Sequence, residues 1–343
     1  MTTLKMKKKS FILSINATIL AIVIISCEKK VDFNHSITIV TNSSNLLFRI
    51  GSNLKGSIEV DWGDGIIEKY NANLFSITLK HENLSKLLKT ITITGYVTDF
   101  NCNNNGLTIL DVSKNNALKG LVCEYNQLTS LDLSNNTSLE ALRCSYNLLK
   151  SLDISKNTKM TILECESNQL KSLDLSKNTV LEIIRCGNNL LKGLDLSENT
   201  LLDVLICNDN QLKSLDLSKN TALRDLHCFN NQLTNLYLNK NSSLISLLCA
   251  NNQLTRLDLN KNTALGHLHC ISNKLTSLDL SKNTALFNLI CSSNQFENAE
   301  LNTLFGTLHS NNLPSKYISI GNNPGTNTCD RSIAERKGWT VSD

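Results

Sequence analysis

Between Asn105 and Ser293 the apolar positions recur at one fixed interval. In the segment from Asn126 to Tyr146, Leu128, Leu131, Leu133, Leu139, Leu142 and Cys144 are separated by polar residues, and the whole pattern returns without insertion or deletion. The period is 21 residues. It is marked by cysteines at 102, 123, 144, 165, 186, 207, 228, 249, 270 and 291, giving nine full repeats with partial ones at either end. Each unit holds two alternating pieces, such as Leu121-Val122-Cys123 and Leu131-Asp132-Leu133. Alternation sends every second side chain to one face, so both pieces are expected as short strands.

One unit cannot fold alone. Burying about five aliphatic side chains and a cysteine gains about 2 kcal/mol each, whereas ordering 21 residues costs on the order of 1–2 kcal/mol apiece. Stacked units make the leucine rows continuous and let neighbouring backbones pair, so the array needs caps at both ends. The spacing L-x-x-L-x-C-x-x-N-x-L, seen at Leu118, Leu121, Cys123, Asn126 and Leu128, is the leucine-rich-repeat signature with cysteine in one core position. Over more than half the chain this resembles the cysteine-ladder branch of the bacterial internalin-like proteins, the internalin J type. The resemblance implies a right-handed leucine-rich-repeat solenoid, mainly β with short strands on each turn, and a ligand that is a protein or glycan engaged on the concave sheet.

The segments outside the array complete the organisation: a signal peptide at 1–26, a β-rich cap at 27–100, repeats at 101–296 and a mixed α/β cap at 297–343. Lys5, Lys7, Lys8 and Lys9 precede an apolar run from Phe11 to Ile25, a basic region followed by a hydrophobic one. The run ends in Ile24-Ile25-Ser26-Cys27, which resembles the bacterial lipobox and makes Cys27 the expected lipid attachment site. The membrane is thus reached through an N-terminal lipid alone, as in an outer-membrane lipoprotein of the cell envelope. Strands are expected at Ser36–Thr41, Leu46–Ile50, Ser57–Trp62, Ile66–Tyr70, Ser76–Lys80 and Thr90–Thr94. The turn Trp62-Gly63-Asp64-Gly65 resembles that of PKD-like sandwich domains. Glu300–His309 and Ser332–Lys337 read as helices and Tyr317–Ile320 as a strand.

Charge excludes one class of partner. Of 34 Lys and Arg residues four lie in the first 26 positions, leaving 30 against 30 Asp and Glu. A near-neutral mature chain has no basic face for nucleic acid. The cysteines are expected as buried thiols acting as small hydrophobes, since one per turn spreads them along an axis and does not converge them on a metal. Asn126, Asn147, Asn168 and their equivalents to Asn294 are expected to bond backbone groups of their own and the next turn, and a second row from Asn136 to Asn283 to serve the other bend. Aspartates 111, 132, 153, 174, 195, 216, 258 and 279 form an outward row, with Lys114, Lys156, Lys177 and their counterparts following as neutralising partners.

Outward positions vary around the cysteines and barely at all in the L-D-L-S piece, so the cysteine-bearing strand is the candidate ligand-facing sheet. Arg143, Glu164 and Arg185 alternate in sign there, as cross-strand pairing favours. Farther along, Ile206, Asp225, His227, Phe229, Leu248, His267, His269, Ile271 and Ile290 share the face, an exposed mixture of apolar groups and imidazoles suited to recognition. No cofactor or metal is expected, and the chain is read as a monomeric binding protein. An envelope scaffold is the alternative and an enzyme a remote one: His227 and His269 adjoin cysteines in sequence, but successive strand residues face opposite sides.

Overall fold

The computed structural model describes residues 35–343 apart from 55, 73–75 and 83; the signal segment and Cys27 lie outside the described residues. Eight strands open the chain: β1 (Ser36–Thr41), β2 (Leu46–Gly51), β3 (Gly56–Asp61), β4 (Ile67–Ala72), β5 (Ile77–His81), β6 (Lys89–Thr94), β7 (Asp99–Asn101) and β8 (Leu107–Asp111). The array follows as β9 (Gly120–Val122), β10 (Ala141–Arg143), β11 (Ile162–Glu164), β12 (Ile183–Arg185), β13 (Val204–Ile206), β14 (Asp225–His227), β15 (Ser246–Leu248), β16 (His267–His269) and β17 (Asn288–Ile290). The chain closes with α1 (Asn298–Thr307), β18 (Tyr317–Ser319), α2 (Ser332–Glu335) and β19 (Thr340–Ser342).

Strands β9 to β19 pair in parallel, in sequence order, within one sheet of 14 strands. The register advances by one repeat per strand, as in Leu142 opposite Leu163 and Leu163 opposite Ile184. That constant offset puts identical positions side by side, and the strand-centre row from Leu121 to Leu289 and all ten ladder cysteines are wholly buried. The cysteines are free thiols.

Only one of the two expected strands per repeat forms. Among the described residues the L-D-L-S piece joins no sheet after the first repeat; in the first repeat it is part of β8, which pairs antiparallel with β1. Most of these pieces close on themselves: the Asp carboxylate accepts the N–H two residues on, as Asp153 Oδ1 does from Ser155 at 2.9 Å, and Asn157 N–H bonds Ile154 O at 2.9 Å. Asp111 caps Ser113 in the same way at 2.9 Å, so what sets β8 apart is its neighbour, β1, which lies alongside as an antiparallel partner.

The N-terminal cap is spliced into the solenoid. β7 pairs with β9 in parallel and with β2 antiparallel, and β5 adds beyond β2, so the array's sheet runs on into the cap. A second sheet, in the order β4-β3-β6-β1-β8, covers it. Between the two lie Phe48, Trp62 and Phe100, all buried, with the Phe48 and Trp62 rings stacked at 6.0 Å. The Trp62–Ile66 stretch is a hairpin turn between β3 and β4, closed by Asp61 Oδ1 on Gly63 N–H and Asp64 Oδ1 on Ile66 N–H, each at 2.9 Å. Gly63 has φ +74°, and a Cβ there would meet Thr90 O at 2.3 Å; Gly65 has φ +90° with open space around it. Gly63→Ala should therefore destabilise by roughly 3 kcal/mol and Gly65→Ala by about 1 kcal/mol, the strained backbone alone accounting for the smaller loss. Thermal melts of the two variants check the order, and equal shifts would remove the Thr90 contact as its cause.

The C-terminal cap continues the array's hydrogen bonding over a longer loop. Asn323 takes the place of a ladder asparagine, accepting Asn294 N–H at 3.0 Å and donating to Cys291 O at 3.1 Å. Lys337 Nζ donates to Leu308 O at 2.7 Å and Phe305 O at 3.1 Å, satisfying carbonyls at the end of α1.

Candidate recognition surface

The two asparagine rows differ in what they hold. Asn189 donates through Nδ2 to Cys165 O at 3.0 Å, Cys186 O at 3.1 Å and Gly187 O at 3.1 Å, and its Oδ1 accepts Leu170 N–H at 3.0 Å. Cys165 and Leu170 belong to the preceding turn, so the expected bond to the next turn is corrected. The following turn's asparagine reaches back instead, because the bend places each amide above carbonyls already laid down. In the second row, Asn199 donates to Leu175 O at 3.2 Å and Asn178 O at 2.9 Å, while its buried Oδ1 has no protein partner.

The aspartate row also departs from expectation. Among the described residues, none of the following lysines lies within ion-pair distance of these carboxylates. The backbone N–H and side chain of the next serine chiefly hold Asp132, Asp153, Asp174, Asp195, Asp216 and Asp279 below the ordinary carboxylate range, and the charges of Lys156, Lys177, Lys219 and Lys282 add a smaller pull at four of them. The row caps its own turns.

The outward face of the sheet carries the variation. Glu164 lies between Arg143 and Arg185, with each Nε 3.6 Å from a carboxylate oxygen, which is the cross-strand pairing read from the sequence. Beyond it, Ile206, His227, Leu248, His269 and Ile290 are directly opposite one another on five consecutive strands, β13 to β17. At about 4.8 Å per strand this row is roughly 19 Å long. Asp225 and His267 form a parallel row with Val204, Ser246 and Asn288. Phe229 and Ile271 lie two residues past the ends of β14 and β16.

The face is less open than expected. Ile206 is buried, between Arg185 and His227 in register, and Asp225, His227, Phe229, Leu248, His267, His269, Ile271 and Ile290 are half-buried. At strand spacing, neighbouring side chains shade one another. His227 Nε2 lies 3.0 Å from Asp225 Oδ1, and this imidazole holds the Asp225 carboxyl below its usual range against the opposing effect of burial. Burial lowers His269, with the nearby His267 adding to it, so its ring is neutral at pH 7 and its Nε2 is buried without a partner. Among the described residues, no three His, Cys, Asp or Glu side chains group to hold a metal ion.

Two residues of this surface escaped the sequence reading. The His267 ring sits edge-on to Phe287 at 4.4 Å, and Phe287 lies over Gly266, where a Cβ would come within 3.0 Å of it. Ile245, 44% exposed, belongs to the same position of its repeat. The signal was present: Asp203, Arg224, Ile245, Gly266 and Phe287 vary at one position, three residues farther from each cysteine than the row considered. Asp203 and Arg224 form an ion pair there.

Adjacent histidine and cysteine do not make a thiol site. Cys228 and Cys270 are wholly buried, and burial raises both thiols, Cys270 to about 12. Neither offers a thiolate near neutral pH.

A parallel one-repeat register, an asparagine spine and a buried thiol row together define a leucine-rich-repeat solenoid of the cysteine-ladder kind. The chain is similar to the functional domain of InlJ from Listeria monocytogenes, a solved structure that itself includes a cysteine ladder, at 30% identity and a TM-score of 0.64. The match covers 76% of this chain and 62% of that one, so this chain spans less than two thirds of that domain. An internalin, InlF, from the same organism matches at 20% identity and TM-score 0.56 over 72% of this chain and 82% of its own. The ectodomain of an Arabidopsis thaliana receptor kinase, solved in complex with CASPARIAN STRIP INTEGRITY FACTOR 2, matches at 22% and 0.50 over 60% and 30%. The last two likenesses show the fold alone. No protein-family model matches the chain, and no curated protein matches it in sequence.

Proposed function

We propose that the chain is a lipid-anchored binding protein of the bacterial envelope that recognises a protein ligand through the outward face of β13 to β17. One observation carries this reading. A row of apolar and imidazole side chains runs in register across five strands, while the opposite wall repeats a capped aspartate through nearly every turn. A surface that served the scaffold alone would be uniform on both walls. Half-buried His227, Leu248, His269 and Ile290 present apolar area with few charges, the composition found at the centre of protein interfaces. The likeness to InlJ supports the same reading, and the lipobox-like sequence at Cys27 supports the anchor.

Two experiments test it. Purified protein applied to an array of extracellular-matrix and cell-surface proteins should find a ligand, and combined alanine replacement of His227, Phe229 and His269 should weaken that binding at least about tenfold. Unchanged binding would move the site elsewhere. In cells, Cys27→Ser should abolish incorporation of labelled palmitate and release the protein from the membrane fraction. Complete protection from external protease on intact cells, with a surface marker cut, would replace surface recognition by a scaffold role inside the envelope.

A further inference from the structure

The capped-aspartate wall is interrupted at one place. Where seven full repeats and the first strand-forming one carry Asp between two leucine-type positions, one turn carries Tyr237, within Asn235-Leu236-Tyr237-Leu238-Asn239. In the following turn Arg256 stands where the other repeats have Ser, Gly or Asn, and the first has Ile109. Tyr237 is 63% exposed, and the Arg256 guanidinium lies 6.0 Å from its ring centroid. With Asp258 and Asp279 these residues line a concavity of about 380 Å³, within the range of small-ligand sites, about 300–1,000 Å³. The leucines beneath, Leu236, Leu238, Leu257 and Leu259, are buried in the solenoid core and fix the floor.

The chemistry of the walls selects a ligand. The phenol ring offers an apolar face on the side of Tyr237 not taken by Arg256. Asp258 Oδ1 accepts Asn260 N–H at 3.0 Å and Asp279 Oδ1 accepts Ser281 N–H at 2.8 Å, and each carboxylate, able to accept about four bonds, keeps lone pairs for a ligand. Arg256 donates only, and the Asn239 and Asn260 amides do both. An anion would meet two carboxylates and a cation would meet the guanidinium. A ligand with an apolar C–H face and several hydroxyls that both donate and accept satisfies every wall.

We propose that this concavity is a second binding site, for a neutral pyranose unit of a glycan. It lies on the L-D-L-S wall, away from the cysteine-bearing strands, and does not depend on the protein-recognition reading. The sugar stacks its C–H face on Tyr237, donates hydroxyls to Asp258 and Asp279, and accepts from Arg256.

The array itself supplies variants that keep the fold. Tyr237→Asp restores the ladder residue, with Asn239 two residues on as Asn260 is from Asp258, and Arg256→Ser restores the neighbouring consensus. Saturation-transfer NMR and calorimetry of the purified full chain would be run against methyl glycosides of glucose, galactose, mannose, N-acetylglucosamine and N-acetylgalactosamine, and against their linear tetramers. At least one is expected to bind with Kd on the order of 1 mM or tighter. Tyr237→Phe should stay within about threefold and Arg256→Ser should weaken binding about tenfold. Tyr237→Asp should abolish binding with no loss in melting temperature. Absence of transfer from every glycoside at about 10 mM, or binding that survives Tyr237→Asp, overturns the site. Binding lost on alanine replacement of His227, Phe229 and His269 but kept in Tyr237→Asp would place the sugar on the other face and overturn it equally.

Discussion

Between about pH 9 and pH 10 the solenoid is expected to lose its fold, far more steeply than a protein with one or two buried titrating groups. Ten cysteines from Cys102 to Cys291 are wholly buried. Burial raises their thiols, Cys186 and Cys270 to about 12 and the other eight in the same direction, in part through neighbouring cysteines of the row. In the unfolded chain a thiol titrates near 8.5. Above that value the unfolded state gives up protons that the folded state keeps, so the unfolded state binds fewer protons and stability falls as pH rises. The contribution is complete below about pH 8.5 and drains away towards the folded values. Each thiol then removes about 1.4 kcal/mol per pH unit, and ten together roughly 14 kcal/mol, comparable to the whole stability of a folded domain at about 5–15 kcal/mol. Circular dichroism across this range, in reductant, should show one steep loss of β signal. Replacing half of the row by alanine should halve the steepness at whatever stability remains. A fold that persists to about pH 11 would mean that the thiols are not held protonated in the core.

Removing one asparagine of the spine should cost more than removing its counterpart in the other bend. Asn189→Ala deletes the sole partner of Leu170 N–H, inside the core. The carbonyls fare better, since Cys165 O keeps Asn168 and Cys186 O keeps Asn210. One orphaned buried N–H at about 1–3 kcal/mol, several lost bonds and a small void give a loss of roughly 3 kcal/mol. Asn199→Ala orphans no N–H, because Asn199 Oδ1 accepts nothing from the protein, and should cost about half as much. Asn189→Asp should be worse than alanine near neutral pH and recover on acidification: a carboxylate would face three carbonyls, whereas a protonated carboxyl can donate to one of them. Urea denaturation of the variants measures these differences, and equal losses for Asn189→Ala and Asn199→Ala would refute the orphaned N–H as their origin.

The repeat was legible because every turn repeats the same surroundings. A leucine at 121, 142 or 163 meets the same neighbours, so periodicity alone assigns it to the core, and the cysteines and both asparagine rows follow by the same reasoning. The failures lie where a choice depends on geometry outside the repeat's own letters. Leu131-Asp132-Leu133 alternates like a strand, yet no ladder forms there, whereas the equivalent Leu110-Asp111 lies in a strand that has β1 alongside. Tyr125 and Tyr146, with φ of +54° and +57°, occupy a left-handed position filled elsewhere by Asn, Asp or Ser, and nothing in a tyrosine signals that conformation. That a cap closes the array's first edge was legible; that pairings such as Ile39 with Leu110 and Phe100 with Leu121 carry the cap's strands into register with the array was not.

The candidate surface divides in the same way. Its row from Ile206 to Ile290 could be written down from a 21-residue spacing, but how much of each side chain meets solvent could not. Ile206 is covered by its neighbours in register and Phe287 is drawn over Gly266, both consequences of strands lying side by side. By itself the sequence determined the period, the core and the fold class, since these depend only on what recurs. The tertiary structure decided which carbonyls each asparagine holds, how the ends join the sheet, and where one tyrosine and one arginine open a concavity in an otherwise uniform wall, since these depend on residues far apart in the chain meeting in space.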